Sequence, residues 1–160
     1  QIARDLYAEW AEHHHFALYD DVRSSLGELV GAGSRLGLIS NSHRCLESFQ
    51  QHFGLADLIS VTVSSAELGV MKPHPAIFQA ALSKLDVQPH AAVMVGDSLE
   101  HDVEGARRAG MHGVWLLRDS SAADVPPGVE TIGSLRELPA AIRRFTPRSG
   151  EAASLSTPGV

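Results

Sequence analysis

The stretch Val93-Met94-Val95-Gly96-Asp97-Ser98-Leu99-Glu100-His101-Asp102 sets the fold class. Ala92 to Val95 is a short apolar run without polar alternation, the pattern of a strand buried on both faces of a parallel sheet. Gly96-Asp97 ends the run. A helix from about Leu99 to Ala109 follows, closed by Gly110. A strand that feeds directly into a helix is half of a β-α-β unit, because parallel neighbours need a crossover.

The same unit recurs outward in both directions. Leu36-Gly37-Leu38-Ile39 is a second unalternated apolar run, preceded by a helix over 22–32 with Val22, Leu26, Leu29 and Val30 on one stripe. Ser42 reads as the N-cap of a helix from His43 to about Phe53, with Leu46, Phe49 and Phe53 inward. Ile59 to Val63 is β-branched and strand-like. Pro75 fits the first turn of a helix carrying Ile77, Phe78, Ala81, Leu82 and Leu85. Val114 to Leu117 is a further strand. Ser134 with Glu137 forms a capping box that opens a helix to about Phe145. The β-α-β-α-β-α-β-α order predicts a Rossmann-like α/β fold, a parallel sheet with helices on both faces.

Composition agrees with one globular unit. The chain has 160 residues, 44% hydrophobic and 20% charged, close to globular averages. No apolar run approaches the roughly 18 residues of a spanning helix, so no membrane partner is expected. A net charge of −6 disfavours a nucleic-acid partner. Cys45 is the single cysteine, which excludes an internal disulfide and points to a reducing, cytoplasmic setting. It is expected to be buried or inert. Trp115 and Trp10 read as packing residues, Arg107-Arg108 as a solvated helix face, and His13-His14-His15 as a polar helix end. The oligomeric state is not encoded in any visible pattern.

In a parallel α/β sheet ligands bind beyond the carboxyl ends of the strands. Ser40 and Asn41 follow one strand end, and Asp97 follows another. Lys72 lies in the loop Gly69-Val70-Met71-Lys72-Pro73-His74-Pro75. The set suits phosphate handling. A carboxylate at Asp97, with Asp102 five residues on, can serve Mg2+, which takes one or two carboxylates plus water and phosphate. Ser40 and Asn41 offer a hydroxyl and an amide to phosphoryl oxygens, and Lys72 offers a positive charge.

Three motifs in order resemble those of the haloacid dehalogenase-like hydrolases. Leu36-Gly37-Leu38-Ile39-Ser40-Asn41-Ser42 resembles the second motif of that family. Lys72-Pro73-His74-Pro75-Ala76-Ile77-Phe78 resembles the third, Lys-Pro-Asp-Pro-x-x-Phe. Val93 to Asp102 resembles the fourth, and Gly105-Ala106-Arg107-Arg108-Ala109-Gly110-Met111 continues the match, which covers about Tyr19 to Phe145. The resemblance implies that Ser40 binds the transferring phosphoryl group with Asn41 beside it. It also implies that Lys72 stabilises the nucleophile and phosphoryl charge, that Asp97 ligates Mg2+, and that Asp102 supports the metal site or its waters. The acidic fourth motif implies a phosphatase-type member acting on a small phosphorylated metabolite through an aspartyl-phosphate. His74 stands where the family has Asp, a position expected to cap the helix.

The family's first motif, Asp-x-Asp-x-Thr on an N-terminal strand, has no counterpart. Tyr19-Asp20-Asp21-Val22 resembles the segment before the helix that leads into the second motif. Residues 1–18, with Ile2, Leu6 and Trp10 on one stripe, resemble the trailing end of a helical cap. The core is expected over 19–146 and a disordered tail over 147–160. Gln1 is an uncommon natural start, so the chain is expected to be an N-terminally truncated portion lacking the nucleophile and central strand. The strands of the second and fourth motifs would then expose unpaired edges or pair with each other. Two other readings remain: a non-catalytic relative that binds a ligand or partner, and a receiver-like module in which Asp97 is only an acidic strand end.

Overall fold

The structure is a computed structural model that describes residues 16–42, 45–118 and 124–145. Helix α1 (Val22–Gly31) leads into strand β1 (Leu36–Ser40), helix α2 (Leu46–His52) and strand β2 (Ile59–Ser64). A short helix α3 (Ser65–Leu68) precedes the Lys72 loop and helix α4 (Pro75–Leu85). Strand β3 (Val93–Gly96) runs into a π-helical turn (Leu99–Glu104), helix α5 (Gly105–Arg108) and strand β4 (His112–Leu116). Strand β5 (Glu130–Ile132), a 3-10 turn (Leu135–Glu137) and helix α6 (Leu138–Ile142) complete it.

Among the described residues all strand pairs are parallel, but they form two sheets. One is β1–β2, and the other is β3–β4–β5 in that order. Of the two expected outcomes for β1 and β3, the open one occurs: among the described residues β1 pairs with β2 alone and β3 with β4 alone, so each keeps an open edge.

Helices hold the two sheets in a common layer. On one face, Leu29 of α1 and Leu138 and Ala141 of α6 bury against Val114 and Ile132, with Leu36, Val93 and Val95 packed alongside. On the other, Ile77, Phe78 and Ala81 of α4 and Ala106 of α5 bury against Val63, with Ile39 and Met94 alongside. Residues of β1 and β3 therefore serve both cores, which explains their unalternated apolar sequence. Yet none of Leu36, Ile39, Val93, Met94 and Val95 is fully buried. That incomplete cover is what open strand edges leave.

Several expected elements shift. Helix α2 begins at Leu46 with Cys45, not Ser42, at its N-cap. Its N-cap makes no side-chain bond, and Ser42 instead accepts at its carbonyl from Ser64 Oγ (3.2 Å). Cys45 is exposed, and its thiol donates to Glu47 (3.4 Å), since the N-cap position faces water. The helix after β3 opens as a π-helical turn before becoming α-helical at Gly105. The Ser134 capping box is present, but it opens the 3-10 turn, and α6 stops at Ile142. Strand β5 was unexpected; its three residues after Pro126-Pro127-Gly128 are too few for a periodic signal. The expected cap stripe, the histidine run and the tail lie outside the described residues.

Candidate active site

Four segments converge on Lys72. Helix α3 stops at Gly69, whose φ of +78° is the left-handed cap that favours glycine. The chain turns there and passes through Val70 and Met71 to Lys72. Asn41, one residue past β1, clamps that loop at both main-chain groups of Lys72. Its Nδ2 donates to the Lys72 carbonyl (2.9 Å) and its Oδ1 accepts from the Lys72 amide (2.7 Å). The Lys72 side chain then runs inward. Its ammonium donates to Asp102 Oδ1 (2.6 Å) and to the Ile39 carbonyl of β1 (3.3 Å). An ammonium has three hydrogens, so one remains for an incoming oxygen.

Asp102 is almost wholly buried. Both its oxygens have donors, because Oδ2 accepts from the Ser98 amide (3.0 Å). It reaches this place only because residue 96 is glycine: a Cβ there would overlap the Asp102 carboxylate. Gly105 makes a second close approach. A Cβ on it would lie 2.9 Å from the Phe78 ring and 3.0 Å from Pro73 Cβ, so the Lys72-Pro73 loop sits directly against the first turn of α5. Ser98 caps the π-helical turn, accepting at Oγ from the His101 amide (3.2 Å).

Lys72, Asn41 and Asp102 thus share one cluster at the carboxyl ends of β1 and β3. Ser40 is the last residue of β1, next to Ile39, and among the described residues its hydroxyl has no hydrogen-bond partner. Asp97 is exposed and joins the cluster through its peptide to Ser98. The carboxamide of Asn41 is engaged with Lys72 rather than standing free, which leaves one Nδ2 hydrogen for a phosphoryl oxygen. Sequence reasoning did not find the Ile39 carbonyl or the Ser98 amide, because main-chain partners carry no residue signature.

The donor set can be matched to Mg2+. Among the described residues no three His, Cys, Asp or Glu side chains converge as a cage. Asp97 offers one exposed carboxylate that no described side chain pairs with, whereas Asp102 is committed to Lys72. A single exposed carboxylate fits an ion held mostly by water and phosphate, which is how Mg2+ usually binds.

A second polar cluster lies at the ends of β4 and β5. Asp21, almost fully buried, receives both arms of Arg118 (3.0 Å each), the Ser134 hydroxyl (2.7 Å) and the Leu135 amide (2.8 Å). The Arg118 guanidinium also lies 3.9 Å from the centre of the Tyr19 ring. The paired guanidinium holds the Asp21 carboxyl far below the ordinary carboxylate range, against the opposing effect of burial. This cluster ties the segment before α1 to the 3-10 turn that precedes the last helix and was not legible from Asp20-Asp21 as a sequence pair.

The fold agrees with comparisons to known proteins. The family model for haloacid dehalogenase-like hydrolase matches residues 1–116. The phosphoserine phosphatase of Thermus thermophilus is 35% identical over 139 residues, covering 85% of this chain and 56% of that protein. A phosphatase of the same superfamily from Thermococcus onnurineus superimposes with a TM-score of 0.75 at 30% identity, over 88% of this chain and 64% of its own. A 2-haloacid dehalogenase from Pseudomonas syringae superimposes with a TM-score of 0.72 at 31% identity, over 81% and 55%. The chain belongs to the haloacid dehalogenase-like hydrolase family. It spans about half the length of the first curated relatives it matches, 46% and 56%.

Proposed function

We propose that this chain is the larger part of the core of a Mg2+-dependent phosphohydrolase that acts on a small phosphorylated metabolite. The nucleophilic aspartate is carried by a strand outside these 160 residues. The observation that carries this reading is the Lys72 ammonium, shared between the Ile39 carbonyl of β1 and Asp102 beyond β3. It sits where two parallel strand edges lie open, and an inserted strand would end beside it. The phosphatase relatives support phosphate monoesters over haloacids, as does the acidic pair Asp97 and Asp102.

The chain's own residues supply binding and charge. Ser40 Oγ and the remaining Asn41 Nδ2 hydrogen donate to phosphoryl oxygens. The third hydrogen of the Lys72 ammonium meets the charge that grows on those oxygens in the transition state, where a preformed donor is worth most. Asp102 keeps Lys72 aimed. Asp97 holds the divalent ion, which neutralises phosphate charge when bound. A carboxylate oxygen of the nucleophile attacks phosphorus, the ester P–O bond breaks, and the departing oxygen takes up a proton. Water then attacks the aspartyl-phosphate, regenerating the carboxylate and releasing inorganic phosphate.

Mass spectrometry of the chain extended upstream by its own coding sequence tests this. After mixing with a phosphomonoester and Mg2+, a hydroxylamine-labile phosphoryl group should map to a peptide preceding Gln1. A phosphoryl group on Ser40, or anywhere within these residues, contradicts it. An extended chain that binds phosphomonoesters without ever becoming labelled favours the non-catalytic binding reading.

A further inference from the structure

One peptide unit in the site is held at both ends. The carbonyl oxygen of Asp97 accepts from the indole Nε1 of Trp115 (2.9 Å), and the amide of the next residue, Ser98, donates to Asp102 Oδ2 (3.0 Å). Asp102 Oδ1 in turn accepts from Lys72 Nζ (2.6 Å). Trp115 stands opposite Gly96 in the β3–β4 ladder, so its indole bonds the chain one residue beyond the last strand pair. The following carbonyl, on Ser98, is also taken, by the amides of Asp102 (3.0 Å) and Val103 (3.3 Å).

We propose that Trp115 is a positioning residue for this site, acting through the Asp97–Ser98 peptide rather than by packing alone. The peptide plane is what aims the Asp97 carboxylate, because the side chain leaves the backbone beside this fixed peptide. The same plane presents the Ser98 N–H to Asp102. A hydrogen bond accepted at a peptide carbonyl polarises the unit and strengthens the N–H at its other end. Trp115 therefore acts on Asp97 by direction and on Lys72 by relay through Ser98 and Asp102. Tryptophan suits the position because it carries a donor on a large apolar body. Phenylalanine would fill similar space and donate nothing. The catalytic half of this inference rests on Asp97 holding the divalent ion; the clamp itself does not.

The test uses the chain as it stands, without activity as a readout. Two substitutions remove the donor: Trp115→Phe, and Trp115 replaced by β-(3-benzothienyl)alanine, which keeps the bicyclic shape and exchanges N–H for sulfur. Amide hydrogen exchange by NMR should accelerate about tenfold at Ser98 in both, as loss of roughly one supporting hydrogen bond implies. Val95 and Val114 should be unchanged. Unchanged exchange at Ser98 in the benzothienyl variant overturns the proposal, and that variant decides if Trp115→Phe disturbs the fold. Mg2+ titration followed at the Asp97 and Ser98 amides separates the two halves. The dissociation constant should rise several-fold in the donor-less variants. Asp97→Asn should abolish the response; if it does not, Asp97 is not the ligand, and the exchange result still decides the clamp.

Discussion

Lys72 Nζ lies 2.6 Å from Asp102 Oδ1 where neither side chain is open to water, with exposures of 12% and 4%. A pair so placed gains little net stability from its own attraction, because both charges lose hydration. Removing one member is another matter, since it strands the other.

Lys72→Met should therefore destabilise the chain by about 3 kcal/mol, the cost of a buried carboxylate without its cation. The double variant Lys72→Met/Asp102→Asn should lose less than Lys72→Met alone, because no charge is left stranded. Urea unfolding midpoints at constant slope measure both. A double variant that is worse than the single would mean that Asp102 is held by Ser98 more than by Lys72.

Gly96→Ala should cost about 2 kcal/mol or more, because the added methyl and the Asp102 carboxylate claim one volume. Gly27, inside α1, has open space around the same added atom, so Gly27→Ala should stabilise by about 0.5–1 kcal/mol. Thermal melts of the two variants should move in opposite directions. Movement in the same direction would mean that Asp102 has room to step aside.

Asp21 makes acid stability predictable in sign. Its folded pKa is depressed, and the unfolded value is near 3.8. The unfolded chain therefore takes up the proton first as pH falls. The stabilisation is fully present above about pH 4 and declines progressively below it. Asp21→Asn should lower stability at neutral pH by about 2 kcal/mol, the worth of hydrogen bonds to a charged group. It should also flatten the loss of stability below pH 4. Midpoints measured from pH 3 to 7 on both proteins check this, and parallel curves would contradict it.

His74 occupies the N-cap of α4, accepting at Nδ1 from the Ala76 amide (3.2 Å), as expected of the residue standing where the family has Asp. A carboxylate there would make the same bond with a full charge at the positive helix end. His74→Asp should stabilise by about 0.5–1 kcal/mol and His74→Ala should cost about 1. Denaturant midpoints rank the three, and a destabilised His74→Asp would show that the imidazole does more than cap.

What the sequence made legible follows what carries a pattern. The unalternated runs Leu36–Ile39 and Val93–Val95 announce two-faced strands, and both serve two cores. Lys72 and Asp102 are readable because charged residues in ordered motifs are scarce. The Ile39 carbonyl and the Ser98 amide are not, because every residue owns such groups. Trp115 reads as packing because an indole donor and an indole filler are one residue type. Arg118 reaches Asp21 across 97 positions, a pairing that no local spacing encodes. Strand β5 is three residues long, and strand status there comes from pairing to β4, not from its own composition.

In the proposed function, Lys72 serves a phosphohydrolase site completed by a strand outside this chain. Hydrolysis of p-nitrophenyl phosphate, with and without Mg2+, tests it most directly. It is measured side by side on these 160 residues, on the chain extended upstream by its own coding sequence, and on the extended chain carrying Lys72→Met. Turnover is expected only from the extended chain with Mg2+, and its loss is expected in the Lys72→Met variant. Robust turnover by the 160 residues alone, or full activity without Lys72, would contradict it.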